Sequence, residues 1–246
     1  RSRGLGDVYK RQKIYTVPVN DAFAADSECP VCAMFEQLEN DAIEYTMGPS
    51  YMEDDIRAVT DKKGFCQKHI KKIYEQNNRL GYALVMKTHM DYVIKTIESY
   101  NQDRGTGKSL LKKGKESSVC SYIEELDSSC FVCDKIADTI ERYVDTIFYM
   151  YKHDNEFKKT LSGCKGFCTN HYGLLMKKAS EKLGGGDYTE FTELITSLYL
   201  DNMKRVRDDV EWFINKFDHK YADAPWKNAK DSLVRATLKD TGCKLS

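Results

Sequence analysis

Nine cysteines and five histidines are spread over 246 residues, yet eight of these side chains fall into one pattern that occurs twice. Cys29 and Cys32 in "CPVC" are followed, after 33 intervening residues, by Cys66 and His69 in "KKGFCQKH". Cys130 and Cys133 in "CFVC" are followed, after 34 intervening residues, by Cys168 and His171 in "CKGFCTNH". The copies are offset by 101 residues at the first pair and 102 at the second, which fits a duplicated unit with a single insertion. Three thiolates and an imidazole are a tetrahedral donor set of the kind zinc takes in closed structural sites. Two residues between paired ligands let both reach one ion from a tight turn at the start of a helix. There the partial positive charge and free N–H groups favour thiolate over thiol.

The expected assignment is one zinc per copy, with Cys29, Cys32, Cys66 and His69 at the first site and Cys130, Cys133, Cys168 and His171 at the second. A run of fifteen helical residues covers about 22 Å, and the "GPS" break at Gly48 lets the chain return toward its start. Gly64 and Gly166 are expected to turn the backbone into the ligand helix, with Phe65 and Phe167 packed beneath. Two other chemistries fit the residues. Cys3His can carry an iron–sulfur cluster, since histidine can substitute for cysteine there, and "CPVC" resembles the redox C-x-x-C motif, although the strand–helix context of that motif is missing. Cys120, Cys164 and Cys243 have no counterpart in the repeat and are expected to be free thiols, with Cys164 near enough to Cys168 to compete as a ligand. His89, His153 and His219 also lie outside the pattern.

The elements that must position these residues are helices. Met34, Leu38, Ala42 and Tyr45 fall at helical spacing, Ile56 and Val59 mark a short second helix, and Ile70, Ile73 and Tyr74 a third opening near Phe65. Met86, Met90, Val93, Ile97 and Tyr100 form an apolar stripe expected to face the core. The second half repeats the scheme with Ile136, Ile140, Val144, Ile147 and Tyr151. "DNEF" at Asp154 follows, and a long helix carrying Leu194, Leu198, Val206, Phe213 and Phe217 comes after "GGG" at Gly184. "KIYTVPV", Lys13 to Val19, reads as extended, with Pro18 excluding a central strand. The fold class is therefore all-α: two tandem helical repeats, 13–100 and 119–246, each with a Cys3His metal site. A polar linker rich in Gly, Lys and Ser, 101–118, joins them. "GTGKS" at Gly105 lacks the upstream glycine and the strand of a phosphate-binding loop.

Residues 1–12 stand apart. "DVYKRQ" is what GATGTGTATAAGAGACAG encodes, a string that resembles the transposon end used in sequencing libraries, so 1–12 is expected to be an adapter artefact and is excluded from fold reasoning. Without it Lys and Arg fall from 38 to 34 and Asp and Glu from 38 to 37, leaving a net charge of minus three. Nucleic acid and anionic membranes call for a basic excess that is not there. No run of eighteen apolar residues could span a bilayer, and a cytoplasmic location is expected.

"KIYTVPVNDAF", "CPVC", "EYTMGPS", "KKGFCQKH", "NRLGYAL" and "KDSLVRATLK" together resemble an uncharacterised bacterial family, a domain of unknown function found mostly in anaerobic Gram-positive lineages. The resemblance covers nearly all of Lys13 to Ser246 and implies a helical protein with paired cysteines. No nucleophile–base–acid set and no consistent carboxylate pair stands out, so an enzyme is not expected. The expected function is a zinc-stabilised binding or regulatory module whose surface recognises a protein partner or a small allosteric ligand. The alternatives are an iron–sulfur electron-transfer or redox-sensing protein and a thiol–disulfide oxidoreductase.

Overall fold

The computed structural model describes residues 5–105 and 118–245, with backbone alone at 5–13 and 101–105. In chain order the helices are α1 (Leu5–Ala24), α2 (Pro30–Met47), a 3-10 turn (Pro49–Met52), α3 (Asp54–Lys63), α4 (Gln67–Glu75) and α5 (Arg79–Gly105). They continue as α6 (Ser118–Ser128), α7 (Phe131–His153), α8 (Asn155–Gly163), α9 (Thr169–Lys182), α10 (Gly185–Asn215), a 3-10 turn (His219–Tyr221) and α11 (Ser232–Thr241). No strand occurs among the described residues, so the chain is all-α. None of these helices is long and apolar enough to cross a membrane.

The chain divides into two compact units that do not follow the sequence halves: 1–36 with 140–246, and 37–139. The boundary falls inside α2 and inside α7. In the first unit, Val144, Ile147 and Tyr151 of α7, Phe157 and Leu161 of α8, and Phe191 and Ile195 of α10 are buried. Phe191 meets Phe148 and Tyr151 at ring separations of 5.0 and 4.9 Å. In the second unit α5 packs against α3, α4 and α6, and Ile43, Ile73 and Val85 are fully buried.

Residues 13–19 are not extended: they lie in α1, with Pro18 inside the helix. The β-branched residues Ile14, Thr16, Val17 and Val19 suggested a strand, but Val19, Ala22 and Phe23 at helical spacing are 0, 9 and 3 % exposed. Tertiary burial of that stripe overrides the local preference. Phe23 sets its ring edge against Phe157 and Phe167 at 5.1 and 6.2 Å, so α1 braces the Gly166–Phe167–Cys168 turn.

The stripe on α5 is also corrected. Met90 is 55 % and neighbouring Ile94 52 % exposed, and Met86, Val93 and Ile97 are only half-buried. The side that α5 does bury is narrow, carrying Gly81 and Val85. α5 begins on a side-chain cap, since Asn78 Oδ1 accepts from the Gly81 N–H at 2.9 Å while its Nδ2 donates to the Met47 carbonyl. That accounts for "NRLGYAL". The first five residues of the expected linker, 101–105, continue α5. Residues 106–117, with the rest of "GTGKS", lie outside the described residues, and Ser118, the last of the expected linker, opens α6.

Candidate metal centres

All eight expected ligands converge, but they pair across the two sequence copies. One group is Cys29, Cys32, Cys168 and His171; the other is Cys66, His69, Cys130 and Cys133. The expectation of one site within each copy fails. α2, with 18 residues, is about 27 Å long, and α3 after it packs on α5 and the first 3-10 turn. α7, with 23 residues, is about 35 Å long, and α8 after it packs on α1. Each C-x2-H meets the C-x2-C of the other copy. Each group lies wholly within one compact unit.

In the first unit, Cys29 immediately precedes α2 and Cys168 is the N-cap of α9, so two helix N-termini face the sulfurs. Cys32 donates its N–H to Cys29 Sγ at 3.5 Å. His171 brings Nδ1 to 3.5, 3.3 and 3.2 Å from the sulfurs of Cys29, Cys32 and Cys168, and its ring stacks on Phe35 at 5.2 Å. The second unit repeats this arrangement with Cys130 ahead of α7 and Cys66 as the N-cap of α4. Cys133 donates its N–H to Cys130 Sγ, and His69 Nδ1 sits 3.3, 3.2 and 3.3 Å from Cys66, Cys130 and Cys133.

The spacing suits one tetrahedral ion per group. Metal–sulfur bonds of about 2.3 Å at tetrahedral angles set sulfurs about 3.8 Å apart. Cys32 and Cys168 are 3.6 Å apart, Cys66 and Cys133 3.9 Å, and all donor atoms in each group lie within 4.8 Å of one another. A disulfide would need about 2.05 Å, and all nine cysteines are free thiols.

Electrostatics also favour a cation. Hydrogen bonds from Cys29 and Cys32 hold the Cys168 thiol far below its ordinary range, against burial. The bond between Cys32 and Cys168 pushes Cys32 far up, with Cys29 and burial acting the same way. The imidazolium of His171 is opposed by burial but kept by Cys168 and Cys29, which raise it to about 9. In the second group burial, then Cys130 and Cys66, push Cys133 up to about 12. Burial opposes the Cys66 thiolate as well, yet hydrogen bonds from His69, Cys130 and Cys133 outweigh it and lower that thiol. Sulfurs this crowded cannot all be anionic unless a positive centre sits among them.

The turn glycines behave as expected. Gly64 and Gly166 have φ of 61° and 74°, and a Cβ on either would come to 2.8 Å of His89 Cε1 or 2.7 Å of the Leu198 carbonyl oxygen. Phe167 is fully buried and Phe65 half-buried. His89, outside the sequence pattern, is a buttress: its Nδ1 donates to the Asp61 carbonyl at 2.7 Å, and its ring covers Gly64. Cys164 is a half-buried residue ending α8, its thiol raised by burial, and belongs to neither group; Cys120 and Cys243 are exposed. His153 packs against Tyr149, and His219 opens the second 3-10 turn.

Three supporting residues escaped sequence reasoning. Glu39 Oε1 accepts from His69 Nε2 at 2.9 Å, which leaves Nδ1 to face the sulfurs, the carboxylate–histidine–metal arrangement. Burial raises the Glu39 carboxyl, but Lys68, Lys72 and His69 overcome it and hold it at about 2. The side chain of Lys239 is 1 % exposed, and its ammonium donates to the carbonyl of Glu28, beside Cys29, and to that of Lys165, in the turn before Cys168. Gly242, the left-handed C-cap of α11, lies against two of the three sulfurs of its group: a Cβ there would be 3.4 Å from Cys168 Sγ and 3.7 Å from Cys32 Sγ. Lys239 ends "KDSLVRATLK", so that motif is a clamp on the first group.

Residues 10–245 match the family of unknown function DUF6062, and the chain belongs to that family. No curated protein and no solved structure matches it.

Proposed function

We propose that this family member is a zinc-stabilised helical protein that acts by binding, with two zinc ions each held by three cysteines and one histidine. The observation that carries this reading is saturation. Each group offers four donor atoms within 4.8 Å of one another, and four protein ligands leave a tetrahedral ion no position for a catalytic water. The same distances weigh against a cluster, which distributes its ligands over several irons and spreads them farther. Zinc supplies no redox chemistry, and here it would supply cohesion: Cys29, Cys32, Cys168 and His171 tie the starts of α2 and α9, and Cys66, His69, Cys130 and Cys133 those of α4 and α7. Thiolates kept for ligation suit a reducing compartment, so the proposed location is the cytoplasm. The partner is a protein or a small ligand rather than nucleic acid, given the balance of 38 basic and 38 acidic residues.

Elemental analysis of anaerobically purified protein tests the reading. Two equivalents of zinc, with little iron or sulfide and no visible absorption, are expected. Iron and sulfide in stoichiometric amount would overturn it in favour of a cluster, and a folded protein without metal would overturn both. Paired substitutions test the crossed grouping. Cys29→Ser with Cys168→Ser should remove about one equivalent, because both strike one site, whereas Cys29→Ser with Cys66→Ser should remove about two.

A further inference from the structure

The exposed stripe of α5 has an internal control in α10. Burial along 81–90 repeats position for position along 191–200, so the two helices present the same faces in their respective units. On α5 the outward positions Leu80, Ala83, Lys87, Met90 and Ile94, continued by half-buried Ile97, step by three and four residues. That is the spacing of a coiled-coil seam. Leu80, Met90 and Ile94 are 66, 55 and 52 % exposed, so the seam is unpartnered among the described residues. The corresponding positions on α10 are Glu190, Glu193, Ser197, Leu200, Lys204 and Arg207, an ordinary solvated face. One fold position is thus solvated in one unit and apolar in the other. Packing within the units does not explain the difference, and exposed apolar residues gathered on one helix face mark a contact surface.

We infer that α5 is a dimerisation helix, and that its occupant is α5 of a second copy of this chain, running antiparallel. The charges beside the stripe select this partner. If Leu80 lies opposite Ile97 of the other copy, Ala83 faces Ile94 and Lys87 faces Met90. In that register Lys87 comes beside Asp91 of the other copy, on the same edge of the seam. The Leu80–Ile97, Ala83–Ile94 and Lys87–Asp91 contacts then each occur twice, once on each side of the two-fold axis. A parallel pair would set Lys87 against Lys87 in the middle of the seam, where like charges oppose association. Lys87 already reaches Asp91 of its own helix at 2.6 Å, with both side chains exposed, so exchange to the other copy needs only rotamer changes.

Sedimentation equilibrium of the metal-replete full chain tests the proposal. The chain mass is 28.3 kDa, and a concentration-dependent rise to about twice that mass is expected. Met90→Glu with Ile94→Glu should weaken association on the order of a hundredfold. Helicity and zinc content should be unchanged, since both positions are exposed; Met90→Ala with Ile94→Ala is a milder variant should the first not fold. Asp91→Lys should weaken association about tenfold through repulsion by Lys87 of the other copy, and adding Lys87→Asp should restore it. A wild type that stays at 28.3 kDa through the concentration range overturns the inference, as does a dimer indifferent to the double substitution at 90 and 94. A dimer weakened by Asp91→Lys but not restored by Lys87→Asp overturns the antiparallel register. Metal content is read separately, so failure here is distinguishable from failure of the zinc sites.

Discussion

Replacing Lys239 by methionine should open the first metal group from behind while leaving the second intact. Its ammonium lies 2.6 Å from the Glu28 carbonyl oxygen, 3.3 Å from Glu28 Oε2, and within hydrogen-bond distance of the Lys165 carbonyl. Methionine keeps most of the volume, so the cost is electrostatic. Glu28 is 9 % exposed and would retain Arg205, which donates to its Oε2 at 2.5 Å, and a distant Arg235. Removing one partner of a buried ion pair costs about 3 to 5 kcal/mol. Orphaning a buried carbonyl costs about 1 to 3 kcal/mol. These overlap, because Arg205 still compensates Glu28, and the expected loss is about 3 to 4 kcal/mol. The Glu28 and Lys165 carbonyls flank ligand turns, so the loss should appear as metal release. In chelator competition with colorimetric zinc detection, one equivalent should leave at least tenfold faster than in wild type and the other at the wild-type rate. Denaturant unfolding reports the stability change. A Lys239→Met protein within 1 kcal/mol of wild type, releasing both ions normally, would refute the clamp.

Other outcomes follow from the same geometry. Glu39→Gln should weaken zinc at the Cys66 group by about 10- to 100-fold, because the group orienting His69 loses its charge; chelator titration reads this against an unchanged first group. A protease site inserted between 105 and 118 should, when cut, yield two fragments that co-elute until a chelator is added, since both groups take ligands from both sides of the cut. Fragments that separate without chelator would sink the crossed grouping. Lowering pH should release zinc, because protons compete for thiolate and imidazole and each ligand must be deprotonated to bind; metal retained in strong acid would contradict thiolate ligation. Deleting Arg1–Gln12 should move the melting temperature little, because Val19, Ala22 and Phe23, which bury the apolar face of α1, all follow it.

The two Cys3His groups were legible because scarce residues recurred at fixed spacing, and so were most helices, because periodic apolar residues fill one face. What the sequence could not convey was which copies pair. That depends on what α3 and α8 pack against once α2 and α7 have carried the chain away, a tertiary matter that periodicity does not carry. Periodicity also cannot say whether an apolar stripe meets its own core or another surface, which is why the α5 stripe was misread. Pro18 and its β-branched neighbours concealed α1, whose helical state is set by Phe23 meeting aromatic rings more than a hundred residues away. Lys239 and Glu39 look like ordinary surface charges until their partners are brought alongside.

The crossed pairing nests one closure within the other. The segment from Cys66 to Cys133 lies entirely between Cys32 and Cys168, so during synthesis the inner site has all its ligands once residue 133 has emerged. The outer site must wait for His171, and its clamp arrives only with Lys239. A chain interrupted midway could thus hold one ion and expose two unmatched thiols, Cys29 and Cys32, at the start of α2. Such a chain is chemically distinguishable from the finished one, by thiol labelling or by a quality-control protease, even where its helices have already formed.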